Sequence, residues 1–371
     1  MKNFTFKRQL LFVMFMLLGC LSIQAADDGL ITKQITIKLD KAGTLPDRIS
    51  ESKKYLITNL KIVGEVNGTD WLFIREMAGS DFRGDKTDGK LSILDLSDAK
   101  IVGGGLLYFF NVYTSYNDKL GDYAFYGCSG LTSLTIPSSV TSIGNEAFHG
   151  CCGLTSLVIP SGVTSIGDEA FYGCSGLINL TIPSSVTRIG WSAFEGCSGL
   201  TSLVIPSGVT SIGDEAFYGC SGLTSLVIPS SVTSIDRSAF SGCSSLTSLT
   251  IPSSVTSIGW SAFEGCSGLT SIYVYPEKTP KLGTDIFSGC DAKKCKVYVP
   301  TGTYDDYWLS EFGYFENIEE FDATDIDNVT TASDAKEVSR YSVNGQRLSA
   351  PAKGLNIVKY SDGSVKKVVV L

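Results

Sequence analysis

From Ala124 onward, apolar residues return at fixed phase every 23 positions, separated by serine, threonine and glycine. The first copy, AFYGCSGLTSLTIPSSVTSIG, places them at Ala124, Phe125, Cys128, Leu131, Leu134, Ile136, Val140 and Ile143. Cysteines mark the beat at Cys128, Cys151, Cys174, Cys197, Cys220, Cys243 and Cys266, and phenylalanines keep step from Phe125 to Phe263. These copies contain no insertion, so each must sit on its neighbour in the same way. One copy cannot bury eight apolar side chains by itself, whereas a stack removes both open faces from water. Each large side chain so buried contributes roughly 1.5–3 kcal/mol, an upper figure against a compact unfolded state. The pattern therefore predicts a solenoid of 23-residue coils.

Within a coil, LTSLTI has the L-x-x-L-x-I spacing that resembles a leucine-rich repeat strand. Alternation turns Leu134 and Ile136 inward and Ser133 and Thr135 outward. Pro137 and its equivalents end the strand, since proline cannot donate to a ladder. VTSI gives a second short extended piece. The AFYGC segment reads as a tight turn with short helical or 3₁₀ character, its phenylalanine plugging the core.

Six segments follow along the chain. Residues 1–26 read as a signal peptide: Lys2, Lys7 and Arg8 precede the apolar run Leu10–Leu21, which is too short to span a bilayer, and Ala25 and Ala26 supply a cleavage site. LLGC ending at Cys20 also has the form of a lipobox, which would make Cys20 a lipidated N-terminus. Residues 27–90 predict a β-rich N-terminal cap and 91–290 the solenoid, opened by the degenerate coil LSILDLSDAKI. Residues 291–321 predict the C-terminal cap, and 322–337, polar and acidic, a linker. Residues 338–371 predict a small β-unit, with Asn344-Gly345 and Asp362-Gly363 as hairpin turns.

Composition narrows the chemistry. Of 371 residues 43% are hydrophobic and 18% charged, which excludes a disordered polyelectrolyte. The net charge of −8 argues against a nucleic-acid partner. Between Gly121 and Ile272 there is no lysine, and nine carboxylates against two arginines leave −7, concentrated at one edge of the coils. That edge reads as solvated, and no acid-rich loop offers calcium its six to eight oxygens.

His149 is the chain's only histidine, and it stands in HGCC beside Cys151 and Cys152. A Cys–His nucleophile needs an orienting partner and an oxyanion site. Here His149 occupies a column otherwise holding Tyr126, Tyr172 and Tyr218, and Cys151 belongs to the cysteine beat. No enzyme, cofactor or metal centre is expected. The repeated thiols come one per coil, so they do not converge on a metal, and free buried cysteine accounts for them best. Cys290 and Cys295 fall off the beat in an exported cap, which leaves a disulfide between them open.

Two surfaces remain as candidates for binding. The outward strand positions Ser133, Thr135, Ser156, Val158, Asn179, Thr181, Ser202, Val204, Ser225, Val227, Ser248 and Thr250 make an uncharged, hydroxyl-rich strip suited to broad contact. Trp191 and Trp260 share a column three coils apart, about 15 Å by strand spacing, where exposed rings stack on sugars or anchor a protein.

The repeat unit AFxGCSGLTSLTIPSSVTSIG resembles the BspA-like class of leucine-rich repeat, over about residues 90–290. That resemblance implies a secreted or surface protein of host-associated Gram-negative anaerobes, adhering to extracellular-matrix proteins or other cells. The tail YSVNGQRLSAPAKGLNIVKYSDGSVKKVVV is similar to C-terminal sorting domains read by type IX secretion. The expectation is thus a monomeric, exported, non-catalytic binding protein on the cell surface or released from it, with no transmembrane segment in its mature form. A glycan-capture protein and a structural spacer are the alternatives.

Overall fold

In the computed structural model, the described residues are 29–322 and the strands within 337–370; the signal segment, Cys20 and both expected hairpin turns of the tail lie outside them. The chain divides into two units, Met1–Phe321 and Asp322–Leu371.

The first unit is a leucine-rich repeat β-solenoid. Strands from successive coils pair in parallel at a register of 23 residues: Ser133, Leu134 and Thr135 face Ser156, Leu157 and Val158, which face Asn179, Leu180 and Thr181. The ladder begins in the cap, where Ile35–Leu39, Asn59–Val66 and Ile93–Ile101 pair in turn before Ser133–Thr135. It ends with Ser248–Ile251, Ser271–Val274, Lys296–Pro300 and Asn317–Phe321. A second set of ladders joins the two-residue strands of VTSI, from Lys119–Leu120 to Lys281–Leu282. Threonine hydroxyls reinforce the coils, as where Thr155 and Thr164 Oγ1 donate to the carbonyls of Thr132 and Thr141.

A third set of rungs runs through the AFYGC corner with opposite polarity. Phe125 N donates to Ala147 O at 2.7 Å and Gly127 N to His149 O at 2.8 Å, so each coil here donates forward to the next. The corner is a series of 3₁₀-type turns, with Cys128 N bonded to Phe125 O. The residue two before each core phenylalanine adopts a left-handed conformation, as at Glu146 and Glu169, both φ 51°. At Gly144 an added Cβ would lie 2.5 Å from Asp122 N, so the coils pack too closely there for a side chain at this residue.

The core phenylalanines form one column from Phe125 to Phe287, with centroids 5.0–5.9 Å apart and planes within 11° of parallel. Trp71 closes one end edge-on at 5.4 Å; Phe312 and Phe315 close the other at 5.1 and 5.0 Å. The cysteines line the same interior as free thiols. Cys151 Sγ donates to Phe125 O at 3.1 Å, and Cys174, Cys197 and Cys220 repeat the bond one coil further on.

Two expectations need correction. Cys290 does not fall off the ladder, and the disulfide left open between it and Cys295 is not formed; both are buried free thiols. Cys290 stays on the ladder despite the extra residue before it, because its Sγ still reaches Phe263 O at 3.5 Å. The N-terminal cap also carries, beside its strands, the helix Gly68–Met77. Asn67 caps that helix through Thr69 N and Asp70 returns a bond to Asn67 N, a capping box inside a segment whose alternation predicts strand.

The second unit contributes a four-stranded antiparallel sheet in the order Arg347–Leu348, Glu337–Ser342, Gly354–Tyr360, Val365–Val370.

Candidate functional site

The outward strip of the long strands runs over three successive sheets, the ladder being interrupted after Asn179–Thr181 and after Ser225–Val227. Eleven of its twelve expected residues are exposed and Ser133 is half-buried. Three valines stand out to solvent, Val158 by 78%, Val204 by 64% and Val227 by 52%, although the leucine beside each is buried. Folding does not require them there, because threonine serves the same position at Thr135, Thr181 and Thr250. Register carries this column on to Tyr273 and Tyr298, whose rings stack at 4.7 Å. Sequence reasoning missed the two tyrosines, although TSIYVY keeps the alternation of TSLTI. At the N-terminal end the face becomes charged, with Lys61 bridging Asp95 at 3.2 Å and Asp98 at 2.7 Å.

Trp191 and Trp260 lie apart from that strip, beside the short strands. Trp260 is 64% exposed and lines a recess of about 430 Å³ with Asp214, Asp236, Arg237, Gly259 and Lys281. Asp236 is the single non-glycine in the corner glycine column, and burial pushes its carboxyl above the usual range. Arg237 is held by Glu215 at 2.9 Å. Asp122, Gly144, Asn145 and Gly167, at the same repeat positions in earlier coils, line a recess of about 280 Å³. In this column Asp and Asn side chains accept from the next coil's main chain, as Asp122 Oδ1 does from Asn145 N at 2.8 Å. Trp191 stands in this column with its ring 49% exposed.

A hairpin that the sequence reading passed over projects near the N-terminal end. Gly104–Phe109 pairs antiparallel with Tyr113–Ser115, and its tip, Phe110-Asn111, is left-handed at both residues. Leu106, Phe110, Val112 and Tyr116 are 57–66% exposed. The run GGGLLYFFNVY was the available signal, masked by its lack of strict alternation.

Cys151 does not pair with His149 in the HGCC segment. Burial raises the Cys151 thiol well above its usual range, and the thiol points to Phe125 O. His149 instead lies between the rings of Tyr126 and Tyr172, at 4.7 and 4.6 Å, with Nε2 3.5 Å from Glu169 Oε2. No helix among the described residues is long and apolar enough to cross a membrane.

A parallel coil stack with a thiol and phenylalanine interior, capped ends and a wide exposed strip defines a leucine-rich repeat scaffold. The chain belongs to the BspA type leucine rich repeat region family, whose model matches in six copies across residues 118–247, 192–310 and 233–348. Among solved structures it is similar to the leucine-rich repeat protein of T. pallidum, at 31% identity over 47% of this chain and 71% of that one, TM-score 0.38. A leucine-rich cell surface protein of Faecalibacterium prausnitzii is 25% identical over 60% and 86% of the two chains, TM-score 0.34. A leucine-rich repeat protein of Bacteroides ovatus is 23% identical over 72% of each, TM-score 0.40. No curated protein matches the chain.

Proposed function

We propose that the protein is a non-catalytic, exported binding protein, displayed on the cell surface and adhering to extracellular-matrix proteins or to proteins of other cells. The observation that carries this reading is the column of Val158, Val204 and Val227, apolar and exposed on an otherwise hydroxyl-rich sheet, which the half-buried Tyr273 and Tyr298 continue. Many weak contacts along a rigid strip add into useful avidity without a deep pocket, and aromatic residues are enriched where proteins meet. The signal at residues 1–26, or lipid on Cys20, and the sorting-like unit at 338–371 fit delivery to the surface.

A matrix-protein array probed with Val158→Lys/Val204→Lys/Val227→Lys tests it. Binding to a matrix protein should weaken at least tenfold, while Trp191→Ala/Trp260→Ala should bind as the parent does. The reverse pattern, with a glycan array silenced by the tryptophan changes, would establish the second reading. That reading, glycan capture, rests on Trp260 beside Asp214, Asp236 and Arg237 in the recess, where a ring face and polar groups fit a sugar. Silence of the parent on both arrays would favour a structural spacer.

A further inference from the structure

Outside the binding strip, one cluster brings three metal-ligating side chains together across two coils. Glu146 and His149 belong to one coil and Glu169 to the next, and one ligand atom from each lies within 4.8 Å of the other two. We propose that Glu146, His149 and Glu169 hold one divalent transition-metal ion of the zinc class, leaving a coordination position open to solvent.

Three features converge on a cation. The His149 ring is fixed by stacking between Tyr126 and Tyr172 and by a hydrogen bond to its own main chain. Such anchoring is how proteins orient a ligating imidazole. Its Nε2 faces Glu169 at 3.5 Å, close to the spacing of about 3.4 Å expected between two ligands of a tetrahedral ion with bonds near 2.1 Å. Glu146, one turn before His149 on the same coil, brings its carboxylate within 4.8 Å of both.

The charges around the cluster leave it short of a positive partner. Neutral imidazole has one N–H and one lone pair while each carboxylate has only lone pairs, so at most one hydrogen bond can be shared among the three groups and acceptors remain in excess. Arg188 is engaged by Asp168 at 3.6 Å and Arg237 by Glu215 at 2.9 Å. A metal ion would satisfy all three acceptors at once and tie adjacent coils together. An imidazole and two carboxylates suit zinc or its neighbours better than calcium, which prefers a shell of oxygens.

The test uses the full chain without a histidine tag, stripped with chelator and titrated with ZnCl2 by calorimetry and with CoCl2 by visible absorption. One equivalent should bind, with d–d bands from cobalt in a four- or five-coordinate site. His149→Tyr restores the residue that this column carries at Tyr126 and Tyr172, so the stack is preserved. It should weaken binding at least tenfold, and Glu169→Gln should do the same. Cys152→Ser, removing the exposed neighbouring thiol, should leave binding unchanged. No saturable binding by the parent would overturn the proposal, as would His149→Tyr or Glu169→Gln binding like the parent, or loss of binding in Cys152→Ser.

Discussion

At the residue scale, the solenoid's problem is its first corner. Each coil accepts hydrogen bonds at this corner from the coil before it, so the first coil faces the cap with unclaimed carbonyls. Arg75 and Tyr108 claim them. The buried guanidinium donates to Ala124 O at 3.4 Å and Tyr126 O at 3.1 Å, and Tyr108 Oη donates to Asp122 O at 2.5 Å. Arg75→Met keeps the side chain's bulk but leaves those carbonyls unpaired in a dry site, so it should cost about 3–5 kcal/mol. Tyr108→Phe removes one bond and should cost about 1–2 kcal/mol. Urea midpoints at constant slope would check both; two unchanged midpoints would mean that water caps the corner instead. The cysteines make a second residue-scale case. Burial raises the thiols, to about 11 at Cys128 and about 12 at Cys197 and Cys290, from a usual 9. The unfolded chain therefore loses these protons first, so stability present below pH 9 should fall as pH rises toward 12. At pH 8, a thiol reagent should titrate Cys152, the exposed cysteine among those described, and reach the ladder only after denaturant is added.

At the element scale, the coil was legible because its pattern repeats under a single packing rule. The inward positions Leu134, Ile136, Val140 and Ile143, and the thiol and phenylalanine columns, are all buried where periodicity puts them. The helix Gly68–Met77 was not legible from alternation, since WLFIREM follows directly on a strand and its start is set by the Asn67–Asp70 capping box. Cys290 was misplaced for a related reason. Counting residues treats an insertion as a loss of phase, whereas the turn before it absorbs the extra residue and returns the thiol to Phe263 O. The Glu146–His149–Glu169 cluster could not be read from one coil, because it exists only once neighbouring copies are stacked. The exposed valines are the converse: their positions were evident, but only the structure shows how fully they stand in solvent.

At the scale of the whole molecule, stability should be a sum over coils and the contacts between neighbours. The connections are uneven. Strand pairing of the long strands stops between Ser225–Val227 and Ser248–Ile251, and the long-strand and short-strand ladders both stop between the coil of Asn179–Thr181 and the coil of Ser202–Val204. At that boundary the corner rungs continue, with Phe194 N bonded to Ala216 O at 2.8 Å and Gly196 N to Tyr218 O at 2.8 Å, and the phenylalanine column passes through without a gap, Phe194 to Phe217 at 5.2 Å. Removing residues 200–222 joins Gly199 to Leu223, which restores the Gly-Leu step and the phase of every column. The shortened protein should fold, with unchanged spectral shape, a denaturant slope reduced in proportion to the surface lost, and only modestly lower stability. Removing residues 200–211 instead sets phenylalanine against strand and should abolish cooperative unfolding. Circular dichroism with urea titration separates the two outcomes. If both deletions behaved alike, coils would not be interchangeable units, and the interior would owe its order to the caps rather than to repetition.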